Sequence, residues 1–308
     1  MSRRAFIFPG QGSQYIGMGK EFYENFPEAR AVYELASEAG GLDVAALCFE
    51  ANEQLAVTEY TQIAMLATEL AITAVLQRQG VTADVTAGLS LGEYGALVVS
   101  GALSAGDALR LVRKRGSLMQ EAFPVGGAMS AVLGLDADAI LAACKQAEKE
   151  SGKVASIANY NCPGQIVISG HQEAVERAGS YCREAGARRV IPLKVSGPFH
   201  TSLLQGAGEK LAEEMKKVQF HEIQLPYLTN VTGDYVTETD EIPGLLEKQV
   251  SSPVRWQQCV ERMLSDGIEE FVEIGPGRTL NGFLRKINPK VRGGSIDHLE
   301  DFYRYVEG

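Results

Sequence analysis

The stretch that most restricts what this chain can fold into runs from Val85 to Val99. Val85-Thr86-Ala87 has strand character, Gly88-Leu89-Ser90-Leu91-Gly92 is a corner, and helix-compatible residues follow from Glu93 until Gly101. A Gly-x-Ser-x-Gly corner between strand and helix turns within very few residues, which small flanking residues permit. It lifts the serine hydroxyl clear of a sheet and sets it at a helix N-terminus, where backbone N–H groups favour negative charge. The pattern alone is common in a chain with 33 glycines. Its placement after a strand and before a helix makes Ser90 a candidate nucleophile.

The remaining elements fit that corner into a sheet. Ala5-Phe6-Ile7-Phe8, closed by Pro9-Gly10, predicts a buried strand. Helices are expected over 61–79, 105–121, 206–217 and 253–265, and strands over 224–228 and 271–274. The strand at 271–274 ends in Gly275-Pro276-Gly277, which opens onto a last helix. Strands alternating with helices predict an α/β fold with a mostly parallel, doubly wound sheet. Residues 126–194 keep a different rhythm. They read as a strand (128–133), a helix (137–149), two strands (154–158 and 165–169) around Cys162-Pro163-Gly164, a helix (171–185) and a strand (189–193). That βαββαβ order is the signature of a ferredoxin-like unit. The expected organisation is therefore a small subdomain at 126–194 inserted into a core made of 1–125 and 195–308.

Composition narrows the function. With 308 residues, 45% hydrophobic and 22% charged, the chain reads as an ordinary soluble globular protein. A net charge of −10 argues against a general nucleic-acid binder. An acidic partner would need a local basic surface, and Arg188, Arg189 and Lys194, or Arg285 and Lys286, are candidates; solvated surface charge is the commoner reading of each. The five cysteines are odd in number, widely spaced and without a C-x-x-C pair, so neither a disulfide framework nor a thiolate metal site is expected. The four histidines show no i, i+4 pairing that would suggest zinc. The first apolar run is too short for a signal-peptide core, and no run suits a membrane span; the expected location is the cytoplasm.

A serine hydroxyl is a weak nucleophile without a base. His200, in Ser196-Gly197-Pro198-Phe199-His200-Thr201, lies in a turn-rich joint where the inserted unit rejoins the core, and loops on a scaffold are where reactive groups concentrate. His171, at a helix start, His221, between polar neighbours, and His298, near the tail, suit surface roles better. Gly10-Gln11-Gly12-Ser13-Gln14-Tyr15 follows a strand but lacks the third glycine of a dinucleotide fingerprint, and Met18 stands where a phosphate loop needs lysine. That loop can instead present N–H groups to an oxyanion, with Gln11 and Leu91 as donors. Within Arg110-Leu111-Val112-Arg113-Lys114-Arg115, spacing alone favours a surface charge for Arg115.

Taken together the motifs resemble those of the malonyl-CoA:acyl carrier protein transacylases, over nearly the whole chain. Phe8-Pro9-Gly10-Gln11-Gly12-Ser13-Gln14 is similar to that family's first loop, and Gly88-Leu89-Ser90-Leu91-Gly92-Glu93-Tyr94 to its nucleophile elbow. Arg115-Gly116-x-x-Met119-Gln120, Asn159-x-Asn161-x-Pro163-Gly164-Gln165, Gly197-Pro198-Phe199-His200, Gln249-x-x-x-Pro253-Val254-x-Trp256 and Glu273-Ile274-Gly275-Pro276-Gly277 follow in order. The resemblance implies an α/β-hydrolase-like core and a ping-pong transfer from malonyl-CoA, through an ester on Ser90, to the phosphopantetheine thiol of an acyl carrier protein, with no permanently bound cofactor. It implies His200 as base, Gln11 and Leu91 as oxyanion donors, and the Gln249 carbonyl as the group that orients the imidazole. Arg115 would hold the malonyl carboxylate, Met119 and Phe199 would shape the acyl pocket, and Asn159 and Asn161 would lie near the carrier arm. The chain is expected to act as a monomer. Many family members have histidine before the nucleophile, where this chain has Leu89. A serine esterase or thioesterase of α/β-hydrolase type is the alternative, and a non-enzymatic module binding acyl carrier protein a more distant one.

Overall fold

The structure, a computed structural model, describes residues 2–195 and 197–307. The run Ala5-Phe6-Ile7-Phe8 is apolar on both faces because it lies at the centre of a covered sheet. β1 (Arg4–Phe8) is flanked by β2 (Val85–Gly88) and β8 (Glu270–Ile274), with β7 (Tyr227–Leu228) and β9 (Arg292–Ile296) at the edges. The order is β7-β2-β1-β8-β9, and every pairing is parallel. Parallel sheets need cover on both faces. Alternate residues of β1 supply it: Phe6 and Phe8 join one apolar cluster, Ala5 and Ile7 the other.

The first cluster is built on α4 (Thr58–Arg78), in which every residue from Thr61 to Thr73 is buried. Around it pack α1 (Lys20–Asn25), α2 (Pro27–Gly40), α3 (Val44–Phe49), α5 (Gly92–Val99) and α6 (Ala105–Ala122), joined by α9 (Gln205–Met215) and α10 (Ile242–Ser251). A helix apolar on all sides belongs in a core rather than at its edge. The opposite face is covered by α11 (Trp256–Ser265) and α12 (Thr279–Ile287), through Trp256, Val260, Leu280 and Leu284. α13 (Leu299–Glu307) closes the chain against β9 and α1.

A second sheet, β4-β5-β3-β6, has only antiparallel neighbours. It comprises β3 (Gly127–Leu133), β4 (Ala155–Cys162), β5 (Gln165–His171) and β6 (Arg189–Pro192), with α7 (Ala137–Ser151) and α8 (Gln172–Glu184) on one face. Of the turn expected at Cys162-Pro163-Gly164, Pro163 and Gly164 form it, with Gly164 at φ +72°, while Cys162 ends β4. Val254 stitches this sheet to the core: its N–H donates to Ala158 O at 2.8 Å and its carbonyl accepts from Tyr160 N–H at 2.9 Å.

Three expectations need correction. The strand at 224–228 shrinks to Tyr227–Leu228, because Gln224 and Leu225 donate their N–H groups to Ser100 O instead. The helix at 253–265 begins only at Trp256, since Val254 is engaged in the stitch just described. The helix after Gly277 is not the last element; β9 and α13 follow it. α1, α2, α3 and α10 also lie outside the expected elements, and Ser196 lies outside the described residues.

The corner at Ser90 depends on missing side chains. A Cβ on Gly88 would come within 1.9 Å of Gly92 C and O, and one on Gly92 within 2.2 Å of Phe8 O. Gly282, exposed within α12, has nothing within 4 Å of such a carbon. Gly88→Ala is therefore expected to destabilise the fold by about 3 kcal/mol or more through overpacking. Gly282→Ala should stabilise it by about 0.5–1 kcal/mol, by helix propensity. Urea unfolding of both variants checks the pair, and equal midpoints would refute the packing argument.

Candidate active site

Ser90 and His200 are the non-glycine residues with positive φ among the described residues, at 55° and 60°. Such backbone is uncommon for residues with a Cβ and gathers where geometry is functionally constrained. Ser90 adopts it between the end of β2 and the start of α5, where Asn230 holds both sides of the corner. The Asn230 side-chain oxygen accepts the Ser90 N–H at 2.6 Å, and its amide donates to Gly88 O at 2.7 Å. His200 adopts it in a turn tightened by Thr201, whose hydroxyl donates to Pro198 O at 2.7 Å.

The two strained residues meet. Ser90 Oγ lies 2.8 Å from His200 Nε2, and His200 Nδ1 lies 2.9 Å from Gln249 O. A carbonyl oxygen can only accept, so Nδ1 carries the ring proton and Nε2 presents its lone pair to the serine hydroxyl. His200 is buried, and burial followed by the nearby Arg115 charge pushes its pKa down to about 4. Both causes disfavour the cation, so the ring is a neutral acceptor throughout the ordinary pH range.

Arg115 is no surface residue. Arg110 and Lys114 are exposed and Arg113 pairs with Glu59 at 2.6 Å, but Arg115 is 1% exposed. α6 turns it inward, where it donates to Gln62 Oε1 at 2.8 Å, Gln249 Oε1 at 3.1 Å and Ser90 Oγ at 3.2 Å. The ring of Tyr94 lies 5.8 Å away from its charged carbon. Among the described residues it forms no ion pair, and Nε has no partner. Burial lowers its pKa from the usual guanidinium value.

A cleft of about 560 Å³ opens beside these groups. Gln11, Ser90, Leu91, Arg115, Met119, Asn159, Asn161, Phe199 and His200 all line it, whereas Gln249 stands behind. Leu89 lines it too, and a Cβ on Gly10 would touch Leu89 O at 2.8 Å, so the first loop runs directly along the corner. Among the described residues, neither the Gln11 N–H nor the Leu91 N–H donates to another backbone group. Asn159 and Asn161 reach the cleft through register shifts in β4. Ala155 and Ile157 face α7 and α8, and strict alternation would send residues 159 and 161 the same way; the shift between Ile157 and Asn159 reverses the face. Of the basic candidates, Lys194 lines the cleft and Lys286 donates to the lining residue Gln165 at 3.0 Å; Arg188, Arg189 and Arg285 stand elsewhere. The five cysteines are free and buried, and among the described residues no helix is long and apolar enough to cross a membrane.

The sequence alone assigns no role to three contributors: Gln62, Glu93 and Asn230. Gln62 is one of several polar residues buried in α4, among them Thr61, Thr68, Glu69 and Thr73, so the pattern does not single it out. Glu93 was visible as part of the elbow motif, but nothing local says that it is buried. Asn230 carries no local mark at all.

Comparison with known proteins places the chain in a family. Residues 5–289 match the model of the acyl transferase domain, so the class is that of the acyl transferases. The malonyl CoA-acyl carrier protein transacylase of Bacillus subtilis is 45% identical over 302 residues, covering 97% of this chain and 95% of the relative. Its namesake in Escherichia coli is 44% identical over 290 residues, 93% of each chain. The chain belongs to the acyl transferase family, and within it to the malonyl CoA-acyl carrier protein transacylases. A crystal structure of the Clostridium perfringens malonyl CoA-acyl carrier protein transacylase superposes with TM-score 0.95 at 42% identity, covering 99% of this chain and 96% of the other. A malonyl-transacylase solved in complex with a type II PKS acyl-carrier protein gives 0.96 at 40% identity, covering 99% of each chain.

The depressed imidazole is directly measurable. ¹⁵N NMR of the folded protein should show His200 as the Nδ1–H tautomer at neutral pH, titrating with a midpoint near pH 4. A midpoint near 6.5, the ordinary histidine value, would contradict the buried site.

Proposed function

We propose that this chain transfers a malonyl group from malonyl-CoA to the phosphopantetheine thiol of an acyl carrier protein, through an ester on Ser90. The observation that carries the reading is a serine hydroxyl 2.8 Å from a neutral imidazole and 3.2 Å from a buried guanidinium without a carboxylate partner among the described residues. An orphaned buried cation is costly, on the order of 3–5 kcal/mol, so the site calls for a substrate that brings its own carboxylate. The short Ser90–Arg115 distance requires that carboxylate close to the reacting carbonyl, as in malonate. The family membership and the relative solved with an acyl-carrier protein support the same reading.

Ser90 Oγ attacks the thioester carbonyl while His200 Nε2 takes its proton. The oxyanion is held by the N–H groups of Gln11 and Leu91, each such donor being worth about 2.7–4 kcal/mol. The C–S bond then breaks, and the CoA sulfur leaves with the proton from His200. In the second half-reaction the carrier thiol gives its proton to His200 and its sulfur attacks the ester carbonyl; the C–Oγ bond then breaks and His200 returns the proton to Ser90 Oγ. Gln249 O keeps the imidazole in the productive tautomer. Arg115 grips the malonyl carboxylate through two parallel N–H···O bonds. Met119 and Phe199 wall the acyl pocket, and Asn159 and Asn161 lie near the pantetheine arm.

In this reading residues 1–125 and 195–308 form an α/β-hydrolase-like core, and 126–194 a ferredoxin-like subdomain whose sheet forms the other wall of the cleft. The enzyme works as a monomer in the cytoplasm, with no permanently bound cofactor, and serves fatty-acid or polyketide assembly.

Intact mass after mixing with malonyl-CoA tests the assignment. Wild type should gain one malonyl group, Ser90→Ala none, and His200→Ala should load slower by about 10²–10⁴-fold. Arg115→Ala should load malonyl poorly while retaining or improving acetyl loading; equal loss for both acyl groups would remove the carboxylate filter. Release of free malonate at the loading rate, without carrier protein, would favour a hydrolase instead.

A further inference from the structure

Glu93 is wholly buried in the first turn of α5 and is not among the residues lining the cleft, yet the site converges on it. Its Oε2 accepts two hydrogen bonds, from the Asn230 main-chain N–H at 3.0 Å and from the Gln249 side-chain amide at 2.6 Å. Its Oε1 has no partner among the described residues. Beyond these two neighbours lies the whole reacting constellation. Asn230 clasps the Ser90 corner through its side chain. Gln249 offers its main-chain oxygen to His200, its side-chain oxygen to Arg115, and its amide also to Ser90 O at 3.0 Å.

A glutamine side chain has nearly the same shape with its oxygen and nitrogen exchanged, so only its partners fix which end is which. Here a guanidinium faces the oxygen and a carboxylate faces the nitrogen. The flipped amide would aim N–H groups at Arg115 and its oxygen at Glu93, repulsive at both ends. Without Glu93, the nitrogen end keeps only the Ser90 carbonyl at 3.0 Å as acceptor and loses the shorter, charged one, and the Asn230 N–H is left buried without an acceptor.

We propose that Glu93 is a positioning residue for acyl transfer, whose single accepting oxygen sets Gln249 and Asn230 and through them holds Ser90, His200 and Arg115 in one arrangement. The inference rests on the reading of Ser90 as the acyl-bearing residue. It makes Arg115 dependent on a group that touches no substrate, so the preference for malonyl over acetyl is itself under the control of Glu93.

Single-turnover loading from malonyl-CoA and from acetyl-CoA, followed by intact mass, provides the test. Glu93→Ala should slow malonyl loading by about 10²-fold, the scale of a misplacement of about 1 Å. Its acetyl loading should fall much less, so that the malonyl-to-acetyl ratio drops. A partly unfolded protein would lose both rates by one factor and leave the ratio unchanged. Glu93→Gln retains an oxygen able to accept both N–H groups and should keep the ratio, with a rate within about tenfold of wild type. Gln249→Ala keeps the main-chain carbonyl but cuts the relay; it should lower the ratio by itself, and Glu93→Ala should add less than about threefold on that background, as expected for residues acting as one unit. If Glu93→Ala does not fold, Gln249→Ala carries the test. An unchanged ratio in either variant, a Gln variant as impaired as the Ala one, or fully multiplying effects would overturn the proposal. Wild-type protein that takes up no malonyl group would overturn the underlying reading along with it.

Discussion

The hydrogen bond between Ser90 and His200 is the contact to which the rest of the molecule is subordinate. It joins residues 110 positions apart in sequence, each held in a backbone region that side chains ordinarily avoid. Strain of this kind costs of order 1–3 kcal/mol per residue and persists only where the surroundings over-determine it. At Ser90 the surroundings are β1 and α5, packed so closely that neither Gly88 nor Gly92 has room for a methyl group. The parallel sheet is thus more than a platform. Its central strand passes so near the corner that the chain has one way to turn, and that way raises the hydroxyl into the cleft.

The electrostatics of the site follow from the same burial. Removing Arg115 from water disfavours its charge, and three neutral acceptors, on α4, on α10 and at the Ser90 corner, only partly compensate. That charge, behind the cost of burial itself, holds His200 neutral. Glu93 lies on the far side of the Gln249 amide, where burial pushes its carboxyl up to about 7 while the Asn230 N–H, the Gln249 amide and the Arg115 charge pull it back. Gln249 therefore sits with its dipole aligned between a cation and a carboxyl. A neutral side chain placed there can separate the two groups and still couple them.

How much of this was legible in the sequence varied with the range of the interaction involved. The corner at Ser90 could be read because its determinants lie within five consecutive residues. Strand β1 could be read because cover on both faces leaves an unbroken apolar run. The two helices within 126–194 could be read from their place in the βαββαβ order. Arg115 could not, because in a run of four basic residues only the rotation of α6 decides which one points inward. Nor could the shortness of β7, where Ser100 takes two N–H groups that the local pattern offered to a strand. The position of His200 in a turn-rich joint was enough to nominate it as the base for Ser90, whereas the inward reading of Arg115 came only from the resemblance to the family.

The register shifts in β4 show why the two sheets had to meet where they do. In a regular strand Asn159 and Asn161 would face α7 and α8, burying two carboxamides among Ile140, Cys144 and Ile168 without partners. One shift turns them toward the cleft and the main sheet, and the same stretch is where Val254 pairs with β4 across the boundary. Val254 lies five residues beyond Gln249, whose main-chain oxygen accepts from His200. The segment that fixes the imidazole is therefore continuous with the one that anchors the second sheet. A displacement of that sheet relative to the core would be felt first at the Gln249 carbonyl, so the width of the cleft and the aim of the histidine are set by one piece of backbone.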